Sequence, residues 1–234
     1  MTKPDVSLIL PCYNEEGTLE GTIERINEAI ELETFPYEII IVEDGCTDKT
    51  PEIASKLAAN SDRINHLHFE NRLGKGKALN KGFEAGKGSK LFFMDTDLAT
   101  DLKHLSDLLE ELDKHDIVIG SRYVEGSNAE RGFVREFFSK GYNAMARIAF
   151  RTNIKDHQCG FKGINKEVFE DLKDELNSEH WFWDTELLIR AKEKDYSIKE
   201  IPVEWEEKDG SEVSVKNSVI YFSKRIFTEK IQKQ

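Results

Sequence analysis

The sequence predicts an α/β fold: a mostly parallel β-sheet flanked by helices, with a C-terminal extension. Three observations predict it. Short apolar runs alternate with amphipathic helical stretches through the first 120 residues, the pattern of βαβ units. The first five apolar runs each end in a polar cluster, and ligands of such sheets sit beyond the carboxyl ends of the strands. The chain has 234 residues, 38% hydrophobic and 33% charged, enough for a buried core; we treat it as one domain over 1–234.

The elements follow in order. Val6 to Leu10 reads as a strand and Thr18 to Leu32 as a helix. Glu38 to Val42 is the next strand, followed by a helix from Thr50 to Asn60. Ile64 to Phe69 is a third strand, with a helix over Leu73 to Gly86. Lys90 to Met94 and Asp116 to Gly120 are strands flanking a helix from Asp101 to Lys114. Beyond them, Phe133 to Phe150 is a helix rich in aromatic and basic residues, Phe182 to Lys194 another, and Ile198 to Trp205 a strand. Val213 to Ile231 reads as a basic amphipathic helix.

Composition excludes several classes. The net charge of −12 opposes general nucleic-acid binding, which needs a basic patch or stripe. Three cysteines, Cys12, Cys46 and Cys159, lack zinc-like spacing and predict a reduced, intracellular protein. Met1 leads through Thr2-Lys3-Pro4-Asp5 into a strand, so no signal peptide is expected. No apolar run approaches the ~18 residues of a spanning helix. A soluble or peripheral protein is the expectation.

Asp95-Thr96-Asp97 carries the most chemistry. It follows the buried-strand run Leu91-Phe92-Phe93-Met94. Two carboxylates one residue apart can hold Mg2+ or Mn2+ against a diphosphate, because hard cations take carboxylate and phosphate oxygens. Alone, such a pair is more often a solvated turn. Five polar clusters on one sheet edge point instead to a ligand. Gly74-Lys75-Gly76-Lys77 is not a phosphate-binding P-loop, which requires Gly-x-x-x-x-Gly-Lys-Ser/Thr.

The ordered blocks Pro11-Cys12-Tyr13-Asn14-Glu15, Glu43-Asp44-Gly45, Gly74-Lys75-Gly76, Asp95-Thr96-Asp97 and Gly120-Ser121-Arg122-Tyr123 resemble the family 2 glycosyltransferases of the GT-A fold. Gln158-Cys159-Gly160-Phe161-Lys162, Trp183 to Leu188 and Trp205 to Ser211 extend the resemblance to polyprenyl-phosphate sugar synthases, especially dolichyl-phosphate β-glucosyltransferases. It covers nearly the whole chain. It implies a nucleotide-sugar-binding half over 1–122 and an acceptor-binding half over 123–234. Pro11, Tyr13, Asn14, Glu15, Val42 and Asp44 are then expected at the base and ribose, Lys75 and Thr96 near the phosphates, and Asp95 and Asp97 on the metal. Arg122 and Arg135, with Ser139 one turn further, are the expected anchors of the acceptor phosphate; Arg131 competes with Arg135. Asp95, Asp97, Arg122 and Arg135 form the expected catalytic set. Asp156, Gln158, Trp183, Asp184 and Lys208 are expected on the sugar and acceptor side. Glu43 and Cys46 depart from the Asp and Ser often found in the family. Ala99-Thr100 follows the glucosyl branch.

The resemblance implies transfer of a hexose with inversion to dolichyl or polyprenyl phosphate, with UDP-glucose favoured as donor, for protein N-glycosylation or glycolipid assembly. N-acetylglucosamine, glucuronate and mannose donors stay open, as does a saccharide acceptor. The expected location is peripheral, on the cytoplasmic face of a membrane. The Phe133 to Phe150 helix and the final helix would touch the surface, with or without a membrane-protein partner.

Overall fold

A computed structural model describes residues 3–31 and 35–207, together with 225, 226 and 229. The strands are β1 (Val6–Cys12), β2 (Tyr37–Asp44), β3 (Ile64–Phe69), β4 (Lys90–Met94), β5 (Ile117–Ser121), β6 (Asn128–Glu130), β7 (Phe161–Asn165), β8 (Ile198–Pro202) and β9 (Glu204–Glu206). The helices are α1 (Leu19–Glu31), α2 (Thr50–Ala59), α3 (Lys75–Ala85), α4 (Leu105–Glu111), α5 (Phe133–Phe150), α6 (Lys166–Leu172) and α7 (Trp183–Glu193).

Among the described residues, the main sheet has the order β3-β2-β1-β4-β7-β5-β8. β3, β2, β1 and β4 run parallel to one another, while β7 runs antiparallel between β4 and β5. Strand side chains alternate between faces, and here both faces are covered. Leu8 and Leu10 of β1 pack with Ile23 and Ile26 of α1. Ile9, between them, packs on the other face with Ala78, Leu79 and Phe83 of α3 and Leu187 of α7. That double burial makes these strands continuous apolar runs.

The structure departs from the sequence reading in three places. It adds β7, which lies between β4 and β5. β7 escaped notice because Lys162 lies at its centre, and a lysine breaks an apolar run. The helix expected over Asp101 to Lys114 begins as a single 3-10 turn, Leu102–His104, before α4. The strand expected over Ile198 to Trp205 divides into β8, in the main sheet, and β9, which pairs with β6 and bridges Thr100 through Trp205. Lys208 and most of the expected final helix lie outside the described residues. Of that helix, Ile226 is buried with Tyr142, Phe182 and Ile189, so it faces the protein.

Phe83 is fully buried and meets Phe93, Phe169 and Trp183 with ring centroids 5.1–6.2 Å apart. It joins α3, β4, α6 and α7. Phe83→Ala is expected to cost about 3–5 kcal/mol. Urea unfolding should show a lower midpoint with an unchanged slope; a loss below about 1 kcal/mol would contradict this account of the core.

Candidate active site

The carboxyl ends of β1, β2 and β4 converge through side chains of Glu15, Thr96 and Asp44. Glu15 receives the Thr96 hydroxyl at 3.0 Å, and its own N–H donates to Thr50 Oγ1 at 2.7 Å. Thr22 of α1 donates to the Thr96 carbonyl at 2.8 Å. Thr96 is thus held by two partners, Glu15 after β1 and Thr22 of α1.

Asp44 turns back onto its own fold. Its carboxylate accepts the main-chain N–H groups of Leu73 and, at 3.0 Å, Gly74. It therefore anchors the entry to α3, while Asp48 accepts Thr50 N–H at 3.0 Å and secures α2. Gly74 has φ +91°, and a Cβ there would meet Glu179 O and His180 Nδ1 at 2.4 Å. Only glycine permits that approach. Asn14, at φ 55°, accepts Thr47 N–H at 2.8 Å and links the loops after β1 and β2. Pro11 is paired with Val42 in the parallel ladder.

Around Asp95 the charges alternate in sign. Lys75 Nζ lies 2.7 Å from Asp95 Oδ1 and 3.8 Å from Asp184 Oδ2. Asp184 also holds the buried ammonium of Lys162, which donates further to the carbonyls of Cys159 (2.9 Å) and His157 (3.2 Å). Burial opposes the Lys75 charge, but Asp95 and Asp184 more than offset it and raise its pKa. Gly160 explains how Asp95 fits. A Cβ at Gly160 would stand 1.9 Å from Asp95 Oδ2, and Asp95 N–H donates to the Gly160 carbonyl at 3.2 Å.

Asp97 accepts Ala99 N–H at 3.0 Å. Partial burial and then the Asp95 charge raise its pKa above the usual carboxylate range. A divalent cation would relieve that repulsion. Asp95 Oδ2 and Asp97 Oδ2 accept no protein hydrogen bond among the described residues, while the Oδ1 atoms are engaged by Lys75 and Ala99. The pair therefore fits Mg2+ or Mn2+. Leu98 follows at φ 50°, a left-handed conformation that costs about 1–3 kcal/mol in a non-glycine residue. It turns the chain so that Asp97 faces the cleft bordered by Asp95, Gly160 and Trp205.

A second cleft lies against the same tryptophan. Arg122, Tyr123, Arg131 and Lys140 line it. The guanidinium of Arg122 is 5.3 Å, and that of Arg131 4.9 Å, from the Trp205 ring centroid. Arg122 grips Asp156 through Nε (2.7 Å) and Nη2 (2.8 Å). Burial opposes its charge, and Asp156 overcomes that and raises its pKa. Arg131 donates to Tyr123 Oη at 3.2 Å, which in turn donates to Ser139 Oγ at 2.9 Å. Its Nε is buried without a partner among the described residues. Burial, and then Arg122, lower its pKa. An anion there would relieve both.

Several expectations change. Arg135 is ion-paired with Glu207, and it is Arg131 that joins Arg122. Trp183 is core: fully buried, with Nε1 donating to Asn80 Oδ1 at 2.7 Å. The Val42 side chain is also core, packed under α3. The guanidinium of Arg72 covers one face of Tyr13 at 3.5 Å. Gln158 contributes its main-chain N–H to Asp156 at 3.2 Å. Sequence reasoning missed Arg72, Lys162 and Trp181, whose ring lies 4.9 Å from Lys75 Nζ; a basic residue inside the Gln158 to Lys162 block was the one available signal.

The raised pKa of Asp97 gives a signed expectation. The folded state binds this proton more tightly than the unfolded chain, so ionisation of Asp97 destabilises the fold as pH rises from the usual carboxylate range through the raised value. With EDTA present, Asp97→Asn should raise Tm at pH 7, and the gain should vanish at acid pH below the ordinary aspartate range. Thermal melts at both pH values check this; an equal effect at both would contradict it.

Known proteins place the chain. The sequence profile of glycosyl transferase family 2 matches residues 7–173. Glycosyltransferase AglD of Haloferax volcanii is 43% identical over 226 residues, covering 95% of this chain and 36% of that protein. This chain thus spans about a third of the length of that relative. The dolichyl-phosphate beta-glucosyltransferase of Dictyostelium discoideum is 32% identical, over 94% of this chain and 72% of the relative. Among solved structures, glucosyl-3-phosphoglycerate synthase from Mycobacterium tuberculosis, in complex with Mn2+, UDP and glucosyl-3-phosphoglycerate, superposes with a TM-score of 0.68. It covers 95% of this chain and 80% of that one at 20% identity, a likeness of fold. With its profile match and a central sheet flanked by helices, the chain belongs to glycosyl transferase family 2.

Proposed function

We propose that this chain transfers a hexose, glucose first, from UDP-glucose to dolichyl or another polyprenyl phosphate with inversion, giving a β-linked lipid-phosphate sugar. One observation carries the reading: a carboxylate cleft at Asp95 and Asp97 and a basic cleft at Arg122 and Arg131 meet at Trp205. Such a pair suits a nucleoside-diphosphate donor on one side and an anionic acceptor on the other. Relatives named dolichyl-phosphate beta-glucosyltransferase support the acceptor and the sugar.

A phosphate monoester has a second pKa near ~6 and is largely dianionic at neutral pH. Its oxygen attacks the anomeric carbon while the bond to the diphosphate breaks, and no strong general base is needed. The task is positioning and charge. Asp95 and Asp97 would hold Mg2+ or Mn2+, which would supply Lewis-acid stabilisation of the leaving diphosphate. Arg122, fixed by Asp156, and Arg131, fixed by Tyr123, orient the acceptor phosphate; a planar fork suits phosphate. Lys75 adds positive charge beside Asp95. Trp205 borders the carboxylate cleft and faces both arginines of the other.

For the lipid, we propose peripheral contact with the cytoplasmic face of a membrane. No helix of the described residues is long and apolar enough to cross a membrane. α5 exposes Phe133 (81%), Phe137 (67%) and Ile148 (79%), a face suited to a bilayer interface. Phe133→Ser/Phe137→Ser should reduce flotation with liposomes several-fold. Unchanged flotation would remove α5 from the membrane contact.

A donor panel tests the reaction. Purified protein with Mn2+ or Mg2+, dolichyl phosphate and labelled UDP-glucose should move label into the organic phase, and EDTA or Asp97→Ala should abolish it. Arg131→Ala should lower activity about 100-fold, more than Arg135→Ala, as misplacing a reacting group does. Label from UDP-N-acetylglucosamine, UDP-glucuronate or GDP-mannose instead would change the sugar. UDP release only with soluble saccharides would overturn the lipid acceptor.

A further inference from the structure

At the far edge of the sheet, a second group of possible ligands stands apart from Asp95 and Asp97. His66 and His68 are two residues apart in edge strand β3, so both side chains lie on one face. Glu43 is the register partner of His68 across the parallel ladder and shares that face. A ligand atom from each of the three lies within 4.8 Å of the others. Glu43 is fully buried and pairs with His68 Nδ1.

His66 supplies the second, independent observation. Its Nδ1 lies 3.2 Å from Ser55 Oγ on α2, while its Nε2 is buried without a hydrogen-bond partner among the described residues. A buried imidazole nitrogen without a partner is costly. When Nδ1 carries the proton and donates to Ser55, Nε2 presents a lone pair, the arrangement that outer hydrogen bonds impose on metal-bound histidines.

We infer that Glu43, His66 and His68 form a site for a borderline divalent transition metal, zinc first. Two imidazoles and one carboxylate are a ligand set for Zn2+, with a fourth position left to solvent; Mg2+ prefers oxygen ligands. Ligation through His68 Nδ1 uses the neutral tautomer with its proton on Nε2, so the ion would take the place of the Nδ1–Glu43 hydrogen bond. The site also braces the edge beside the nucleotide end. Glu43 accepts Cys46 N–H, and the next residue, Thr47, is tied to Asn14. This inference does not rest on the transfer reaction.

The test uses the full chain carrying Asp95→Asn/Asp97→Asn, so that the other carboxylates add no metal, with Co2+ as the spectroscopic probe. The expected result is one Co2+ per chain with visible d–d bands, displaced stoichiometrically by Zn2+. His68→Gln, at a half-exposed side chain, should weaken Zn2+ at least about tenfold, since loss of a ligand exceeds the 10- to 100-fold cost of losing an outer partner. His66→Ala should do the same, with near-UV circular dichroism as the folding control. Absence of bands in the folded protein with both histidines intact would overturn the site. So would binding that survives both histidine substitutions, or a thiolate charge-transfer band removed by Cys46→Ser.

Discussion

The chain of alternating charges Asp95, Lys75, Asp184 and Lys162 is the interaction on which the site depends. It joins the end of β4 to α3, α7 and β7. Burying an ammonium such as Lys162 costs several kcal/mol unless its donors are met, and here one carboxylate and two carbonyls meet all three. Two carboxylates and two ammonium groups leave the chain electrically balanced. Removing one partner of a buried pair strands the other, typically at about 3–5 kcal/mol. Asp95 is therefore pre-positioned by the fold, and the cleft beside it is organised by the protein's own charges.

The second cleft follows the same logic with the opposite sign. Asp156 neutralises and immobilises Arg122, and Glu200 in turn supports Asp156 by accepting its N–H at 3.0 Å. Arg131 makes no carboxylate ion pair among the described residues; it has the Tyr123 hydroxyl and the Trp205 face, and Glu136 shares its cleft. The cleft thus contains one compensated guanidinium and one whose charge is opposed by its neighbour. That asymmetry suits reversible capture of a phosphate: the first cation gives geometry, the second gives attraction.

Backbone features concentrate where these clefts meet. Gly160 lets β7 approach Asp95, Gly74 lets α3 approach the Ser178–His180 segment, and Leu98 adopts a left-handed conformation directly after Asp97. β9 carries Trp205 to this point by pairing with β6 and bridging Thr100. Small β9 thus decides how the carboxylate and basic clefts adjoin, although three residues of strand contribute little to the core. Conformational strain at such a place is sustained by the packed sheet around it.

By itself, the sequence determined the alternating strands and helices of the first half, the edge on which the polar clusters gather, and the place of Asp95-Thr96-Asp97 on that edge. Those features are local: an apolar run, a helical period and a turn are each written in neighbouring residues. The antiparallel entry of β7, the burial of Trp183 and Val42, the pairing of Arg135 with Glu207 and the meeting of Arg131 with Arg122 were decided only by tertiary structure. Each depends on residues tens of positions apart: Lys162 is tolerable in a buried strand because Asp184 faces it, and Trp183 is core because Asn80 takes its N–H. Periodicity reports how a segment presents its side chains, whereas compensation of a buried charge depends on which distant segment arrives opposite.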